Sequence, residues 1–230
     1  MVPEWQKLPK EMAKNEFVKE YFDILKKRKK SLYIKRIFDL VFSLIFLVLL
    51  FWFIIIISLL IILDSPGGAF FKQKRVTQYG NFFYVIKFRT MKYDTEKLGF
   101  LTCQNDNRIT NIGKILRKFK IDEIPQLINI LLGQMTFVGT RPEVPKYIKK
   151  YSSNMVPTLL LPAGVTSEAS INFRNEKIYF KNSEDYDDIY INKILPEKMY
   201  YNLNYIKNFN FFLDLKIMLI TVLKVTRILK

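Results

Sequence analysis

The sequence contains no histidine, and its single cysteine is Cys103. Disulfide frameworks, zinc fingers, Ser-His-Asp triads and Cys-His pairs all require residues that are missing here. Catalysis, where present, must therefore rest on carboxylates, lysine, arginine, tyrosine or a hard metal ion. Cys103 itself is predicted to be an inert thiol, because a reactive cysteine needs an activating neighbour.

Acidic residues are scarce relative to basic ones. The chain has 21 Asp and Glu against 37 Lys and Arg, a formal net charge of +16, while half of its 230 residues are hydrophobic. An excess of basic residues is typical of proteins that bind nucleic acid, anionic lipid or phosphorylated substrates. The length fits one core with appendages rather than two full domains.

Proline and glycine are absent from a long apolar run. Between Leu40 and Leu63 every residue except Ser43 and Ser58 is apolar, and about 20 such residues suffice to cross a bilayer. The run starts too late to be a secretory signal. Basic residues flank both of its ends: Lys26, Lys27, Arg28, Lys29, Lys30, Lys35 and Arg36 before it, and Lys72, Lys74 and Arg75 after it.

The topology of this membrane segment has two readings. Positive charge on both flanks favours a re-entrant hairpin with both ends in the cytoplasm. The lack of a helix breaker favours a single transmembrane helix. In either case the basic collar is expected to contact anionic lipid headgroups.

Short periodic segments surround the run. Residues 17–25 and 211–230 have amphipathic helical spacing, and the latter suits either a core helix or an interfacial one. Residues 69–76 and 81–91 predict a β-hairpin joined at residues 78–81. Lys87 and Arg89 lie two apart and are predicted to share one face, either as ligands or as an ordinary exposed polar face.

The adjacent carboxylates Asp122 and Glu123 are the main candidates for chemistry. Pro125 is tolerated only in a first helical turn, so a helix is predicted to start near residues 122–124, to bury Ile124, Leu127, Ile128 and Leu131, and to stop at Gly133. Acids at such a position are common as plain caps. In this cationic setting one can also serve as a nucleophile and the other as a Mg²⁺ ligand.

Two arginines are placed to meet phosphate groups. Arg117 lies five residues before Asp122, and Arg141 is bracketed by Gly139 and Pro142. A guanidinium held with little freedom suits bidentate phosphate recognition. A purely structural turn arginine is the alternative for Arg141.

Together these segments resemble the monotopic phosphoglycosyl transferases, bacterial sugar transferases that start glycan assembly on a polyprenyl phosphate carrier. The resemblance covers nearly the whole chain after residue 30 and is carried by motifs in the family's order: Lys35-Arg-Ile-Phe-Asp39, Phe71-Lys-Gln-Lys-Arg75, Lys87-Phe-Arg-Thr-Met91, Arg117 ahead of Ile121-Asp-Glu-Ile-Pro-Gln-Leu127, Phe137-Val-Gly-Thr-Arg-Pro142, Pro162-Ala-Gly-Val-Thr166 and Phe212-Leu-Asp-Leu-Lys216.

The resemblance implies transfer of a phospho-sugar from a UDP-sugar to polyprenyl phosphate, with release of UMP and a requirement for Mg²⁺. It implies that Asp122 forms a covalent phospho-sugar intermediate and that Glu123 ligates Mg²⁺. It also implies a bacterial inner (cytoplasmic) membrane location with the catalytic domain on the cytoplasmic face. The residues expected to face substrate are Arg117, Lys87, Arg89, Arg141, Pro142, Arg174 and Thr166.

The expected architecture is an α+β fold, a helix-rich single catalytic domain with a small β-hairpin, a re-entrant membrane helix and amphipathic interfacial helices. Its predicted parts are a basic extension (1–34), a membrane helix (35–64) and a catalytic domain (65–230). Phe51-Trp52 stand where related chains usually carry Ser-Pro. After Thr166, the family's usual Gly, Trp and Gln are replaced by Ser167, Glu168 and Ser170, which bears on sugar choice.

Two other functions remain open from the sequence: a membrane-tethered basic binding module, and an inactive transferase-like scaffold. Nucleic acid is not the expected partner, because the densest basic run abuts the membrane segment. The sugar and the oligomeric state are left open, a dimer included.

Overall fold

The computed structural model describes residues 4–92, 107–174, 179 and 186–226, so Cys103 lies outside the described residues. The α-helices are Lys10–Ala13 (α1), Glu16–Lys27 (α2), Lys29–Leu49 (α3), Phe51–Asp64 (α4), Asn111–Lys118 (α5), Gln126–Leu131 (α6), Pro145–Ile148 (α7), Glu168–Asn172 (α8), Tyr186–Ile189 (α9), Leu195–Asn208 (α10) and Phe211–Val225 (α11). The strands are Phe70–Val76 (β1), Phe82–Phe88 (β2), Met135–Val138 (β3) and Ala163–Thr166 (β4). Short 3₁₀ turns cover Trp5–Lys7, Gln78–Gly80, Ile121–Glu123 and Val156–Leu160, and a π-helical turn covers Tyr190–Ile194.

The apolar run forms two helices rather than one. Helices α3 and α4 meet at Leu50 with a bend of 62°. Among the described residues no single helix is long and apolar enough to cross a membrane, and only this bent pair passes by length and composition. Much of the pair is uncovered by protein, with Trp52 72% and Leu63 83% exposed.

The bend has no cause in the local sequence, since the run holds neither proline nor glycine. Its two halves instead pack on different clusters. Leu47 and Leu50 join a cluster built around the buried Val85 and Ile130. Ile57 and Ile61 join a second cluster. Packing against two separate surfaces therefore accounts for the change of direction.

The predicted hairpin is confirmed. Strands β1 and β2 pair antiparallel, with Phe71 opposite Lys87 and Val76 opposite Phe82. The connection contains Tyr79 at φ 60° and Gly80 at φ 78°. Phe83 and Val85 alternate inward and pack beside α6, as expected for a half-buried strand.

The described residues also form a second, two-stranded sheet. Strands β3 and β4 pair in parallel. Beyond β3, Gly139 lies so close to β4 that a Cβ at Gly164 would sit 2.1 Å from the Gly139 nitrogen. Glycine is therefore required where the Gly-Thr-Arg-Pro and Pro-Ala-Gly-Val-Thr motifs meet.

The N-terminal extension is part of the main core. Val18, Phe22 and Leu25 of α2 are buried with Leu160 and Ile206. Asn15 caps α2 by accepting from the backbone N–H groups of residues 17 and 18. The boundary predicted at residue 35 falls inside α3, which begins at Lys29.

The base of α3 is fixed to the C-terminal helix by buried polar contacts. Lys35 Nζ lies 2.6 Å from Asp214 Oδ2, and the Tyr205 hydroxyl donates to Asp214 Oδ1 at 2.6 Å. Asp39 accepts from the Thr136 hydroxyl at 2.7 Å. These contacts join the first and last motifs named above.

Helix α11 packs on the core through a face other than its most apolar one. Asp214 and Ile217 are its buried residues, whereas the apolar side chains of Leu215, Leu219 and Val222 are exposed. An exposed apolar face on a helix with basic neighbours is typical of interfacial helices.

Candidate active site

The two acids lie in a tight turn ahead of α6. Helix α5 ends at Lys118, Lys120 takes a left-handed conformation at φ 59°, and a 3₁₀ turn spans Ile121–Glu123. Helix α6 begins only at Gln126, with Gly133 at φ 77° just beyond its end. The regular helix therefore starts two to four residues later than the predicted start at residues 122–124. Because Pro125 lacks an N–H donor, it is accommodated before the regular helix begins.

The buried face of α6 also differs from the predicted one. Leu127 is buried as expected, but Ile130 and the polar Asn129 replace Ile128 and Leu131. Asn129 donates to the Tyr84 carbonyl at 2.8 Å and accepts from the Ile86 N–H at 3.0 Å. Its amide thereby fastens α6 to the hairpin strand that carries Lys87.

Glu123 is held by two cations. Its Oε1 atom lies 2.8 Å from Lys87 Nζ and 2.9 Å from Arg141 Nη2, and its side chain is 11% exposed. Burial favours the protonated acid, but the attraction of Lys87 and then of Arg141 prevails, so that the pKa of Glu123 is lowered well below its usual value. Glu123 is therefore a fixed negative charge at neutral pH.

Asp122 lies in the opposite environment. It is 9% exposed, and its buried Oδ1 has no hydrogen-bond partner among the described residues. Burial and, second, the charge of Glu123 raise the pKa of Asp122, while Lys87, Lys120 and Arg117 oppose the rise. This buried acceptor oxygen therefore keeps an unused capacity to accept a bond, and Lys87, Lys120 and Arg117 bring positive charge to its surroundings.

Arg117 reaches the site from α5. Its Nε donates to the Thr90 hydroxyl at 2.8 Å, and its charge lowers the pKa of Asp122. Thr90 lies just beyond β2, so this contact ties the end of α5 to the hairpin. Arg117, Lys87, Arg141, Asp122 and Glu123 are thus brought together as the sequence analysis anticipated.

The segment after β3 places Arg141. The Gly139 N–H donates to the Thr166 carbonyl at 2.9 Å, and the Gly164 N–H donates to the Thr140 carbonyl at 2.8 Å. The Pro142 carbonyl accepts from Arg75 Nη1 at 3.2 Å. Backbone contacts on both sides of Arg141 therefore hold the turn from which it reaches Glu123.

Arg89 has contacts that differ from the phosphate-facing role predicted for it. It is buried, and its Nη1 and Nη2 donate to the carbonyls of Pro66 at 2.5 Å and Ser65 at 2.7 Å. These carbonyls lie at the end of α4, where a helix leaves acceptors unsatisfied. In this structure Arg89 therefore holds the backbone just beyond α4, and its substrate-facing role stays a prediction.

Thr166 and Arg174 contact the C-terminal helix. The Thr166 hydroxyl lies 2.8 Å from that of Thr221, and Arg174 donates to the Lys224 carbonyl. Ser167, which departs from the family motif, caps α8 by accepting from the Ser170 N–H at 3.0 Å. The described contacts thus assign these residues to packing against α8 and α11, and none of them joins the acid pair.

Lys120 is a site residue that the sequence analysis does not name. Its left-handed backbone sets the turn, and its charge acts to lower the pKa of both acids. The available signal was its position, two residues before Asp122 and beyond the last apolar residue of α5. Thr90, the partner of Arg117, lies in the Lys87–Met91 motif, but its side chain has no charge that would mark it as a site residue.

The donor set suits a metal that is shared with a substrate. Among the described residues there is no group of three or more His, Cys, Asp or Glu side chains close enough to hold a metal ion. Two adjacent carboxylates, one with an unpartnered oxygen, match Mg²⁺, which binds through one or two carboxylates together with water and substrate phosphates.

Comparisons with known proteins agree on one family. Residues 30–228 match the family model described as bacterial sugar transferase. The chain is 34% identical over 192 residues to an uncharacterized sugar transferase, EpsL, of Bacillus subtilis, covering 84% of this chain and 87% of that protein. It is 32% identical to the UDP-glucose:undecaprenyl-phosphate glucose-1-phosphate transferase of Escherichia coli, covering 83% of this chain and 40% of that protein.

A third relative is the UDP-N-acetylgalactosamine-undecaprenyl-phosphate N-acetylgalactosaminephosphotransferase of Aeromonas hydrophila. It is 33% identical over 165 residues, covering 70% of this chain and 36% of the relative. The chain therefore spans most of the Bacillus protein but less than half of the two longer ones. The matched region contains the acid pair and the cations that surround it.

Proposed function

The chain belongs to the bacterial sugar transferase family, and we propose that it moves a phospho-sugar from a UDP-sugar to undecaprenyl phosphate, releasing UMP. The observation that carries this proposal is the contrast between the two acids. The negative charge of Glu123 is balanced by ion pairs with Lys87 and Arg141. The neighbouring Asp122 has one carboxylate oxygen, Oδ1, without a hydrogen-bond partner among the described residues. The activities for which the Escherichia coli and Aeromonas hydrophila relatives are named support the substrate classes.

In the proposed first step, an Asp122 carboxylate oxygen attacks the sugar-proximal phosphorus of the UDP-sugar. The bond from that phosphorus to the bridging oxygen breaks, and its electron pair leaves with UMP. The product is an acyl phosphate that joins Asp122 to the phospho-sugar. A weak nucleophile of this kind is effective when its approach is organised and its charge is balanced.

In the second step, a phosphate oxygen of undecaprenyl phosphate attacks the same phosphorus. The Asp122 carboxylate departs, and undecaprenyl-diphosphate-sugar is formed. Three anionic groups meet in this step, so fixed cations are needed to offset their repulsion. Arg117, Lys120 and Arg141 supply positive charge that is already oriented before the substrates arrive.

Glu123 is the residue proposed to hold Mg²⁺ together with substrate phosphates. A bound Mg²⁺ neutralises charge on a transferring phosphoryl group. Glu123 stays ionised through its two cations, and a carboxylate must be ionised to bind metal. Removal of divalent ions with EDTA is expected to abolish transfer, and Mg²⁺ added back is expected to restore it.

We further propose that the bent pair α3–α4 enters the bilayer and returns, so that both flanks lie on the cytoplasmic face. The bend of 62° and the exposed apolar surface of both helices support this arrangement. Basic residues on both flanks are expected on the same side by the positive-inside rule.

Cysteine labelling in a Cys103→Ser background tests the topology. Glu16→Cys and Lys72→Cys place one thiol at an exposed position on each side of the pair. A re-entrant pair predicts that an impermeant reagent labels both thiols from the cytoplasmic side. Labelling of the two positions from opposite sides would establish a spanning segment instead.

A turnover assay tests the reaction. Membranes containing the protein are incubated with undecaprenyl phosphate and a panel of UDP-sugars, and UMP release is measured. Asp122→Asn is expected to lower turnover by at least about 10³-fold, the scale seen when a covalent nucleophile is removed. Asp23→Asn, which alters an acid on α2, is the matched control; full activity of Asp122→Asn would overturn the proposed role.

A further inference from the structure

Residues 186–194 gave no catalytic signature in the sequence, yet they pack against the turn that carries Arg141. The π-helical turn Tyr190–Ile194 follows α9, and Tyr190 is buried with Val144, Tyr147 and Leu195. Single π-helical turns are uncommon and often occur near functional sites. This one presents an aromatic hydroxyl to a buried acid beside the Arg141–Pro142 turn.

The contact between Tyr190 and Glu143 is short and buried. The Tyr190 hydroxyl donates to Glu143 Oε1 at 2.5 Å, and both residues are less than a tenth exposed. A buried carboxylate needs partners, because leaving it unsatisfied carries a large desolvation cost. Tyr190 is therefore part of what keeps the Glu143 side chain inside the protein.

Glu143 is also fixed through its backbone. Its carbonyl accepts from the Val76 N–H at 3.0 Å. The preceding carbonyl, that of Pro142, accepts from Arg75 Nη1. Two consecutive carbonyls of this turn are thus tied to the end of β1, while the Glu143 side chain is tied to the π-helical turn.

Other contacts hold Tyr190 in place. The ring centroids of Tyr190 and Tyr147 are 4.5 Å apart. The Lys198 ammonium lies 4.9 Å from the Tyr190 ring centroid. The Tyr147 hydroxyl donates to Asp187 at 2.7 Å. The ring is consequently restrained from two sides, so that its hydroxyl is aimed at Glu143.

We infer that Tyr190 is a positioning residue for phospho-sugar transfer, acting through Glu143 to hold the Arg141–Pro142 turn where Arg141 meets Glu123. Arg141 is two residues from Glu143 and reaches Glu123 Oε1 at 2.9 Å. The inference rests on the proposed function. By this inference residues 186–194, which contain no recognisable sequence motif, keep the guanidinium of Arg141 in place.

Tyr190→Phe is the direct test, because it removes only the hydroxyl and keeps the packed ring. The matched control is Tyr200→Phe, which makes the same change at a tyrosine that is 69% exposed on α10. Tyr190→Phe is expected to lower kcat/KM for the UDP-sugar about 3- to 10-fold, the scale of one lost hydrogen bond. The control is expected to leave it unchanged.

A double-mutant cycle separates positioning from general stability. When Arg141 is already replaced by Gln, Tyr190→Phe is expected to cause less than about a twofold further loss, because coupled residues are non-additive. A merely structural tyrosine would lower kcat/KM equally in both backgrounds. Equal losses, or no loss in the single variant, would overturn the inference.

Amide hydrogen exchange gives a readout that does not depend on turnover. Tyr190→Phe is expected to speed exchange of peptides covering the Val76 amide and residues 139–144, and Tyr200→Phe is expected not to. Unchanged exchange would overturn the inference even if transfer is confirmed. Faster exchange without any transfer by the unaltered protein would instead overturn the proposed function, and the catalytic part of this inference with it.

Discussion

Asp122 and Glu123 are neighbours in the chain, but of the two only Glu123 forms an ion pair with a described residue. Two cations lie within 3 Å of one Glu123 oxygen, at 2.8 and 2.9 Å, whereas a buried Asp122 oxygen has no partner among the described residues. Glu123 therefore keeps a constant negative charge, whereas the ionised form of Asp122 is held at a cost to stability. Several consequences can be measured.

The two acids are expected to have opposite effects on stability. Because the pKa of Asp122 is raised on folding, its ionised form destabilises the fold at pH 7. Asp122→Asn is therefore expected to raise the midpoint of thermal unfolding by a few degrees, where about 1 kcal/mol corresponds to roughly 2–4 °C for a chain of this size. The gain is expected to disappear as pH falls below about 4, where Asp122 is protonated in both states.

Glu123→Gln is expected to do the reverse. The pKa of Glu123 is lowered on folding, so its stabilising effect is present above its unfolded value of about 4.3 and is lost as pH falls through the folded value. The variant is thus expected to melt below the unaltered protein at pH 7 and to converge with it in acid. Thermal unfolding of both variants is measured in detergent with EDTA, from pH 7 down to well below pH 4. A rise in the midpoint for both variants, or a fall for both, at pH 7 would contradict the assignment.

Arg89 is expected to matter for stability and not for substrate binding. Arg89→Met leaves the carbonyls at the end of α4 without their donor, and each buried unsatisfied group costs about 1–3 kcal/mol. The unfolding midpoint is expected to fall by several degrees while KM for the UDP-sugar changes less than about twofold. Lys72→Met, on the exposed face of β1, is the control. A large rise in KM with unchanged stability would return Arg89 to the phosphate-binding group.

The buried pair Lys35–Asp214 is expected to be strongly coupled. Lys35→Met leaves the buried Asp214 without its cation and is expected to cost about 3–5 kcal/mol. Adding Asp214→Leu is expected to restore at least half of that loss, since replacing both members of a buried pair is far less costly than replacing one. Chemical unfolding of the single and double variants gives the interaction energy. Simple additivity would show that the two helices are held by their apolar contacts alone.

Local patterns predicted the elements whose cause is local. The hairpin followed from β-rich segments on either side of Gly80, and α2 followed from its apolar spacing. The bend at Leu50 was not predictable, because it arises from packing on two separate clusters. The register of α6 was missed because tertiary contacts of Asn129 override the apolar spacing.

The sequence predicted which charged residues lie near the site, but not which group each of them contacts. Arg89 and Lys87 have the same spacing pattern, yet one caps α4 and the other pairs with Glu123. Only the fold decides which basic side chain meets a carbonyl and which meets an acid. The electrostatic effect of Lys120 on the two acids likewise depends on its left-handed backbone conformation. Lysine does not usually adopt this conformation, so the residue type gives no indication of it.

The most direct test of the account is to trap the covalent intermediate. The detergent-solubilised protein is incubated with Mg²⁺ and a UDP-sugar that supports turnover, without undecaprenyl phosphate, and its intact mass and peptides are measured at once. The account predicts a mass increase equal to one phospho-sugar, located on Asp122, absent in Asp122→Asn and lost when undecaprenyl phosphate is added. Release of UMP with no adduct at Asp122, or an adduct that persists in Asp122→Asn, would contradict it.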